Sequence, residues 1–330
     1  MKILVLRFSS IGDIVLTSPV LRCLRQQLGA EVHFLTKRAF APVVQPNLYV
    51  SRVFLFEKEP SEVMPALRAE CYDWVIDLHH NLRSLRVKLA LARPSRAFDK
   101  LNWEKWLLVN IGLDRLPDVH IVQRYMAAVA HLGVKYDGQG LDYFIPPDQE
   151  VKPADLDPRL SERAYVAFVL GATHATKRLP LGKMVDICAC IRRPVVLLGG
   201  KAEITTAQAL LEKLAAAQTS NLVNACGRLS LHQSASLVHQ SAVVLTHDTG
   251  LMHIAAALRK PIVSVWGNTV PKFGMYPLYP DGMDLNTSLE ISGLRCRPCS
   301  KIGYDRCPKG HFRCMMDVDV ERVAAFVNRH

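Results

Sequence analysis

The sequence predicts an α/β protein built of two Rossmann-like domains. Three observations carry that expectation. Short apolar runs alternate with segments whose apolar residues recur at helical spacing. The alternation breaks at a proline-rich stretch and then restarts. Each half opens on an apolar strand that runs into a loop of small residues.

The elements follow in chain order. Residues 2–6 form the first strand. Val20, Leu21, Leu24 and Leu28 share one face of a helix, and Gly29 stands where a C-cap belongs. Strands are expected at 31–35, 52–56 and 74–78, and a helix at 121–132 before Gly133. Pro146, Pro147, Pro153 and Pro158 mark a linker. Beyond it come strand 165–170, helix 181–191, strand 195–198, helix 205–216, helix 231–240, strand 242–246, helix 251–258 and strand 262–265. A terminal helix is expected at 320–327. These signals place one domain at 1–155 and a second at 156–330, with the terminal helix expected to pack back on the first. Strands alternating with helices imply parallel sheets covered on both faces.

Composition excludes whole classes. Of 330 residues, 49% are hydrophobic and 22% charged, which rules out a disordered, fibrous or coiled-coil chain. No apolar run approaches the ~20 residues of a membrane span. Arg7 interrupts the first apolar run, so the start reads as a strand rather than a signal peptide, and a cytoplasmic protein is expected. Lys and Arg total 41 against 30 Asp and Glu, a net charge of +11. That excess suits an anionic partner, or serves solubility alone. Arg83, Arg86, Lys88, Arg93, Arg96, Lys100 and Lys105 stand among leucines with Trp103 and Trp106, opposed only by Asp99 and Glu104. They form a solvated helix face or an anion-binding surface. No zinc-finger or RNA-binding signature accompanies them, so nucleic acid is not the expected partner.

Ligands of doubly wound sheets bind beyond the carboxyl ends of the strands. The first such loop is Arg7-Phe-Ser-Ser-Ile-Gly-Asp13. Ser9, Ser10 and Gly12 let the backbone approach a ligand; Asp13 either complements the helix dipole or faces substrate. The loop is no Gly-x-Gly-x-x-Gly fingerprint, which argues against a dehydrogenase. In the loop after Leu170, Thr173 and Lys177 could cradle a phosphate, or simply form a polar helix entry. Gly199 and Gly200 precede Glu203, a carboxylate placed to meet ribose hydroxyls. Asp248-Thr249-Gly250 marks a strand-to-helix switch whose free N–H groups suit an anion, and His253 shares the first turn.

Five of the nine cysteines sit in apolar segments. Cys296, Cys299, Cys307 and Cys314 cluster as Cys-x₂-Cys-x₇-Cys-x₆-Cys. A structural zinc, reduced packing thiols and disulfides are the three readings. In each the segment is structural.

The order of these motifs resembles glycosyltransferase family nine, the ADP-heptose:lipopolysaccharide heptosyltransferases. The residues that carry the resemblance are Ser9-Ser-Ile-Gly-Asp13-Ile, Thr173 with Lys177, Gly199-Gly-Lys-Ala-Glu203 and Asp248-Thr-Gly-Leu-Met-His253. His120 with Arg124-Tyr125, the loop 266–271 and the four late cysteines are similar too. The resemblance covers essentially the whole chain; Leu179 departs from it, since members commonly carry Trp there. It implies a GT-B fold, two Rossmann-like domains facing a central cleft, the first for acceptor and the second for nucleotide-sugar. It implies an inverting displacement with Asp13 as general base. Ser9, Ser10, Gly12, Arg83 and Arg86 fall on the acceptor side. Thr173, Lys177, Glu203, Leu229, Asp248, Thr249, Gly250 and His253 fall on the donor side, Leu229 meeting the adenine through its backbone. The implied donor is ADP-heptose and the implied acceptor the Kdo–heptose inner core of lipopolysaccharide at the inner leaflet. A monomer peripheral on the inner membrane and needing no cofactor follows. Asp-x-Asp triplets hold the metal in many sugar transferases, but Asp155-Leu-Asp157 and Asp317-Val-Asp319 are expected to be linker polarity and helix caps. The alternatives are a family member with another nucleotide-sugar, or a non-catalytic nucleotide- or nucleic-acid-binding module.

Overall fold

The computed structural model describes residues 1–162, 164–216 and 221–330. Its first sheet holds β1 (Lys2–Leu6), β2 (Glu31–Lys37), β3 (Arg52–Phe56), β4 (Trp74–Asp77) and β5 (Ser95–Ala97), in the order β3-β2-β1-β4-β5. The second holds β6 (Val166–Val169), β7 (Val195–Leu198), β8 (Leu222–Asn224), β9 (Val243–His247), β10 (Ile262–Trp266) and β11 (Asn286–Glu290), in the order β8-β7-β6-β9-β10-β11. Every pairing is parallel. Both sheets thus follow the doubly wound order, with the strand order reversing at β1/β4 and at β6/β9. In such sheets ligands bind at the loops leaving those four strands.

The central strands are apolar on both faces because helices cover both. Ile3, Leu4, Val5 and Leu6 are all fully buried, as are Val195, Val196, Leu197 and Leu198. The helix Ser18–Leu28 starts with Pro19 in its first turn and stops at Gly29, whose φ of +59° a side chain would oppose. Three strands escape the sequence reading: β5, β8 and β11. All three are sheet edges: β5 and β8 are as short as Ser-Arg-Ala and Leu-Val-Asn, and β11 reads Asn-Thr-Ser-Leu-Glu. An edge strand needs no continuous apolar run. The helices Leu82–Leu91 and Asn102–Ile111 fall within the basic stretch. The helix expected at 121–132 ends at Ala127 and gives way to a 3₁₀ turn, Ala130–Leu132.

Two compact units result. One comprises residues 1–101, 118–144 and 280–282; the other comprises 102–117, 145–279 and 283–330. The expected boundary at 155/156 therefore shifts to 144/145. Residues 145–155 join the second unit because Val151 N–H donates to Ser236 Oγ at 3.0 Å and Gln240 Nε2 donates to the Val151 carbonyl at 2.8 Å. Segment 102–117 is held there by an ion pair between Asp114 and Lys272. The terminal helix, Val320–Arg329, corrects another expectation. Its apolar face is used within the second unit: Val323 and Val327 lie in that unit's core, and Asn328 Nδ2 donates to the Cys190 carbonyl at 3.0 Å.

In the first unit the segment after residue 118 is locked onto the helix Ser18–Leu28 by Arg22. This guanidinium is nearly inaccessible and meets Asp137 at 2.7 Å, Asp142, and the Gly140 carbonyl at 2.9 Å. Arg22 is buried and the two aspartates are part-buried, so removing the arginine leaves two neighbouring carboxylates unneutralised where water reaches them only partly. Arg22→Ala is expected to destabilise the unit by about 3–5 kcal/mol, read from urea unfolding.

Candidate active site

In the first unit the loop after β1 turns into the helical turn Ile11–Val15, with Asp13 at its third position. Asp13 Oδ2 accepts from Ser10 N–H at 3.1 Å and from Ser10 Oγ at 2.8 Å, while Oδ1 lies 2.5 Å from Arg7 NH2. The cap and the ion pair therefore coexist on one carboxylate. Burial pushes the Asp13 carboxyl up, but the charge of Arg7 and the Ser10 bonds outweigh it and hold the group below its usual range. Arg7 is itself fixed, donating to the carbonyls of Ser9 (2.8 Å) and Leu78. Gly12 is buried, whereas Ser9 and Ser10 line the open side.

The loop after β4 adjoins this site, because Leu6 of β1 pairs with Asp77 of β4. Asp77 is fully buried and organises the turn, accepting from the N–H groups of His79 (3.0 Å) and His80 (2.6 Å), from Ser84 Oγ (2.8 Å), and from Lys88 Nζ (3.0 Å). The His79 ring lies 4.6 Å from that of Phe8, and its buried Nδ1 has no hydrogen-bond partner. Burial, with Arg7 and Lys100 nearby, lowers its pKa to about 4, so it is a neutral imidazole at pH 7. Arg7 and His79 are functional candidates that the sequence reading passed over. The signal was present: His-His-Asn directly follows a strand.

The basic stretch separates into distinct environments. Arg83 meets Glu59 at 3.2 Å and Lys88 is taken up by Asp77. Lys105 lies 5.8 Å above the Phe273 ring, in the second unit with Trp103 and Trp106. The stretch expected wholly in the first domain is thus divided. Arg86, Arg93 and Arg96 remain exposed.

In the second unit the loops after β6 and β9 meet at the switch point. Lys177 Nζ lies 2.6 Å from Asp248 Oδ2, and Thr269 Oγ1 donates to the same oxygen at 2.8 Å. Thr249 stands at the N-cap position of the helix Gly250–Ala257 without a side-chain capping bond, and His253 is buried in its first turn. The loop after β7 brings Glu203 to this group. Glu203 accepts from Gly200 N–H at 2.9 Å and lies 3.7 Å from Arg178 NH1. Its side chain packs so closely that a Cβ at Gly171 would come within 2.9 Å of it, and one at Gly199 within 2.7 Å. Thr173 is exposed, and the buried threonine of its loop is Thr176. Leu229 is half-buried just before Ser230, which caps the helix Leu231–Gln240. Leu179 places its side chain in the core, and its N–H donates to His247 Nε2 at 3.0 Å.

The Asp-x-Asp triplets act as caps and ion pairs. Asp157 meets Arg159 at 2.7 Å, Asp317 meets Arg313 at 2.8 Å, and Asp319 accepts from Arg322 N–H at 3.0 Å. The four late cysteines are free thiols, with Cys296 Sγ 3.7 Å from His311 Nε2. Among the described residues, the set of three or more metal-ligating atoms gathered within 4.8 Å is Glu31, His33 and Glu70. The four late thiols lie near enough to act on one another electrostatically, Cys314 with Cys299, Cys307 and Cys296, but their sulfurs do not gather within that distance among the described residues. In the Glu31–His33–Glu70 set, Lys2 Nζ already lies 2.7 Å from Glu70.

The chain is similar to known proteins along most of its length. The model of glycosyltransferase family 9 (heptosyltransferase) matches residues 62–301. Lipopolysaccharide heptosyltransferase 2 of Escherichia coli K12 is 25% identical over 294 aligned positions, covering 83% of this chain and 84% of that protein. Lipopolysaccharide heptosyltransferase 1 of Pseudomonas aeruginosa is 26% identical, covering 99% and 94%. The solved structure of the E. coli ADP-heptose lipopolysaccharide heptosyltransferase II superposes with a TM-score of 0.74 at 21% identity, covering 100% of this chain and 98% of that one. The two Rossmann-like units are those of the GT-B fold. The chain belongs to glycosyltransferase family 9, the heptosyltransferase family.

Proposed function

We propose that the protein transfers a heptose from ADP-heptose to the inner core of lipopolysaccharide, by a single inverting displacement. The observation that carries this reading is the group at the β6/β9 switch. A lysine, a helix N-terminus and a carboxylate in the next loop together suit a diphosphate and the ribose attached to it. Lys177, Thr249, Gly250 and His253 bind the diphosphate and sugar, with Asp248 orienting Lys177. Thr173 stands at the loop rim, Glu203 takes the ribose, and Leu229 meets the adenine. As the nucleoside diphosphate departs, its growing charge is met by Lys177 and the helix N–H groups, without a metal. In the first unit Asp13 removes the proton from the acceptor hydroxyl as its oxygen attacks the anomeric carbon. Ser9, Ser10 and Gly12 shape that approach.

The acceptor is a lipid, so the enzyme works against a membrane surface. No described helix is long and apolar enough to cross a bilayer. The helix Leu82–Leu91 instead exposes Leu82, Leu85 and Leu89 at 74%, 43% and 71%, and carries no acidic residue. With Arg83, Arg86 and Arg93 beside them, these leucines suit the cytoplasmic face of an anionic leaflet. Arg86→Ala is expected to leave ADP affinity unchanged and raise the KM for acceptor in anionic vesicles about fivefold, near the 1 kcal/mol of one surface cation.

Turnover of ADP-heptose with a Kdo–lipid A acceptor tests the whole reading. Thermal stabilisation by ADP over UDP and GDP tests the nucleotide alone. Selective stabilisation by UDP or GDP would replace the donor, and turnover absent with every nucleotide-sugar would leave a binding module.

A further inference from the structure

The late cysteine segment reaches the donor loops through one side chain between its first two cysteines. Arg297 is a nearly inaccessible guanidinium whose Nε donates to the Gly267 carbonyl at 2.6 Å and whose NH2 donates to the Thr269 carbonyl at 2.8 Å. NH1 meets Glu290 at 2.7 Å, at the end of β11. The clasped residues belong to the loop after β10, and Thr269 is the residue whose hydroxyl holds Asp248 against Lys177. A second tie runs beside the first. Tyr304 N–H donates to Thr176 Oγ1 at 2.8 Å, and Thr176 N–H donates to the Tyr304 carbonyl at 3.1 Å. The two loops also touch without an intervening side chain. A Cβ at Gly267 would lie 2.4 Å from the Thr176 carbonyl oxygen.

We propose that Arg297 is a positioning residue for the donor's diphosphate. It touches no reacting atom. It holds Thr269, Thr269 holds Asp248, and Asp248 aims Lys177. The inference rests on the reading that Lys177 carries the diphosphate. The physical reason for an arginine is its rigid planar fork, which satisfies two carbonyls on one side and a carboxylate on the other. A lysine keeps the charge but reaches one of these partners at a time.

The test is calorimetric titration of the full chain with ADP and with AMP, each protein held well below its own melting temperature. Wild type is compared with Arg297→Lys, Thr269→Val, Thr269→Ser and the double variant Arg297→Lys/Thr269→Val. Arg297→Lys is expected to weaken ADP about tenfold, the size of one charge-assisted hydrogen bond, and AMP less than about twofold. Thr269→Val should act likewise, and Thr269→Ser, which keeps the hydroxyl, should restore affinity. The double variant should be about as weak as Thr269→Val alone, because both residues act along one path. Equal losses for ADP and AMP, additive losses, or a lowered melting temperature with ADP affinity intact would each overturn the proposal. Wild type that fails to bind ADP would remove the donor reading and this inference with it.

Discussion

Asp13→Asn is expected to keep ADP affinity and lose turnover by about 10²–10⁴-fold, the usual contribution of a positioned general base. The amide can still accept the Ser10 bonds that shape the loop, so the backbone should hold. The missing property is proton acceptance. The pH profile carries the sharper signature. The Asp13 carboxyl sits below its ordinary range, so its basic form is present above that lowered value and is lost only as pH falls through it. The acid limb of kcat/KM should therefore lie below the ~3.9 of a free aspartate. In Arg7→Gln the chief depressing charge is gone and burial, which raises the group, remains. The acid limb should then move up toward neutrality. Near-normal turnover in Asp13→Asn would reduce that residue to an acid that complements a helix dipole.

Lys177→Ala should weaken ADP by about 10–100-fold, the range of a charge-assisted contact to phosphate. Two effects add in the same direction. The cation is lost, and Asp248, 2.6 Å away, becomes an unneutralised charge beside an anionic ligand. Adding Asp248→Asn removes the second effect, so the double variant should bind ADP more tightly than Lys177→Ala alone. Isothermal titration of the two variants checks this order. Equal affinity in both would mean that Asp248 does not feel the ligand, and unchanged affinity in Lys177→Ala would place the diphosphate elsewhere.

Much of this architecture was legible in the chain because parallel sheets leave a strong trace. The inner strands are buried on both faces and read as continuous apolar runs, and the motifs stand in the loops that follow them. Asp13, Lys177, Glu203 and Asp248 could be named from that logic alone. The edge strands β5, β8 and β11 could not, since an edge buries too little to demand apolar residues. Partnership was also out of reach. Seven clustered cations look alike in sequence, yet Lys88 serves a buried aspartate while Arg86 faces outward. The sequence suggested a linker marked by Pro146 to Pro158, a domain boundary at 155/156 and a terminal helix leaning on the first domain. Packing assigns 145–155 and that helix to the second unit, because hydrogen bonds to Ser236 and Cys190 and the burial of Val323 and Val327 are satisfied there. Local pattern by itself determined the two Rossmann-like halves and the strand-end loops in which Asp13, Lys177, Glu203 and Asp248 stand. Only the tertiary structure decided that Arg7 lowers Asp13 and that Arg297 reaches Lys177 through Thr269 and Asp248. The second coupling joins residues far apart in the chain, and in both cases periodicity records which face a residue buries, not which charge it meets.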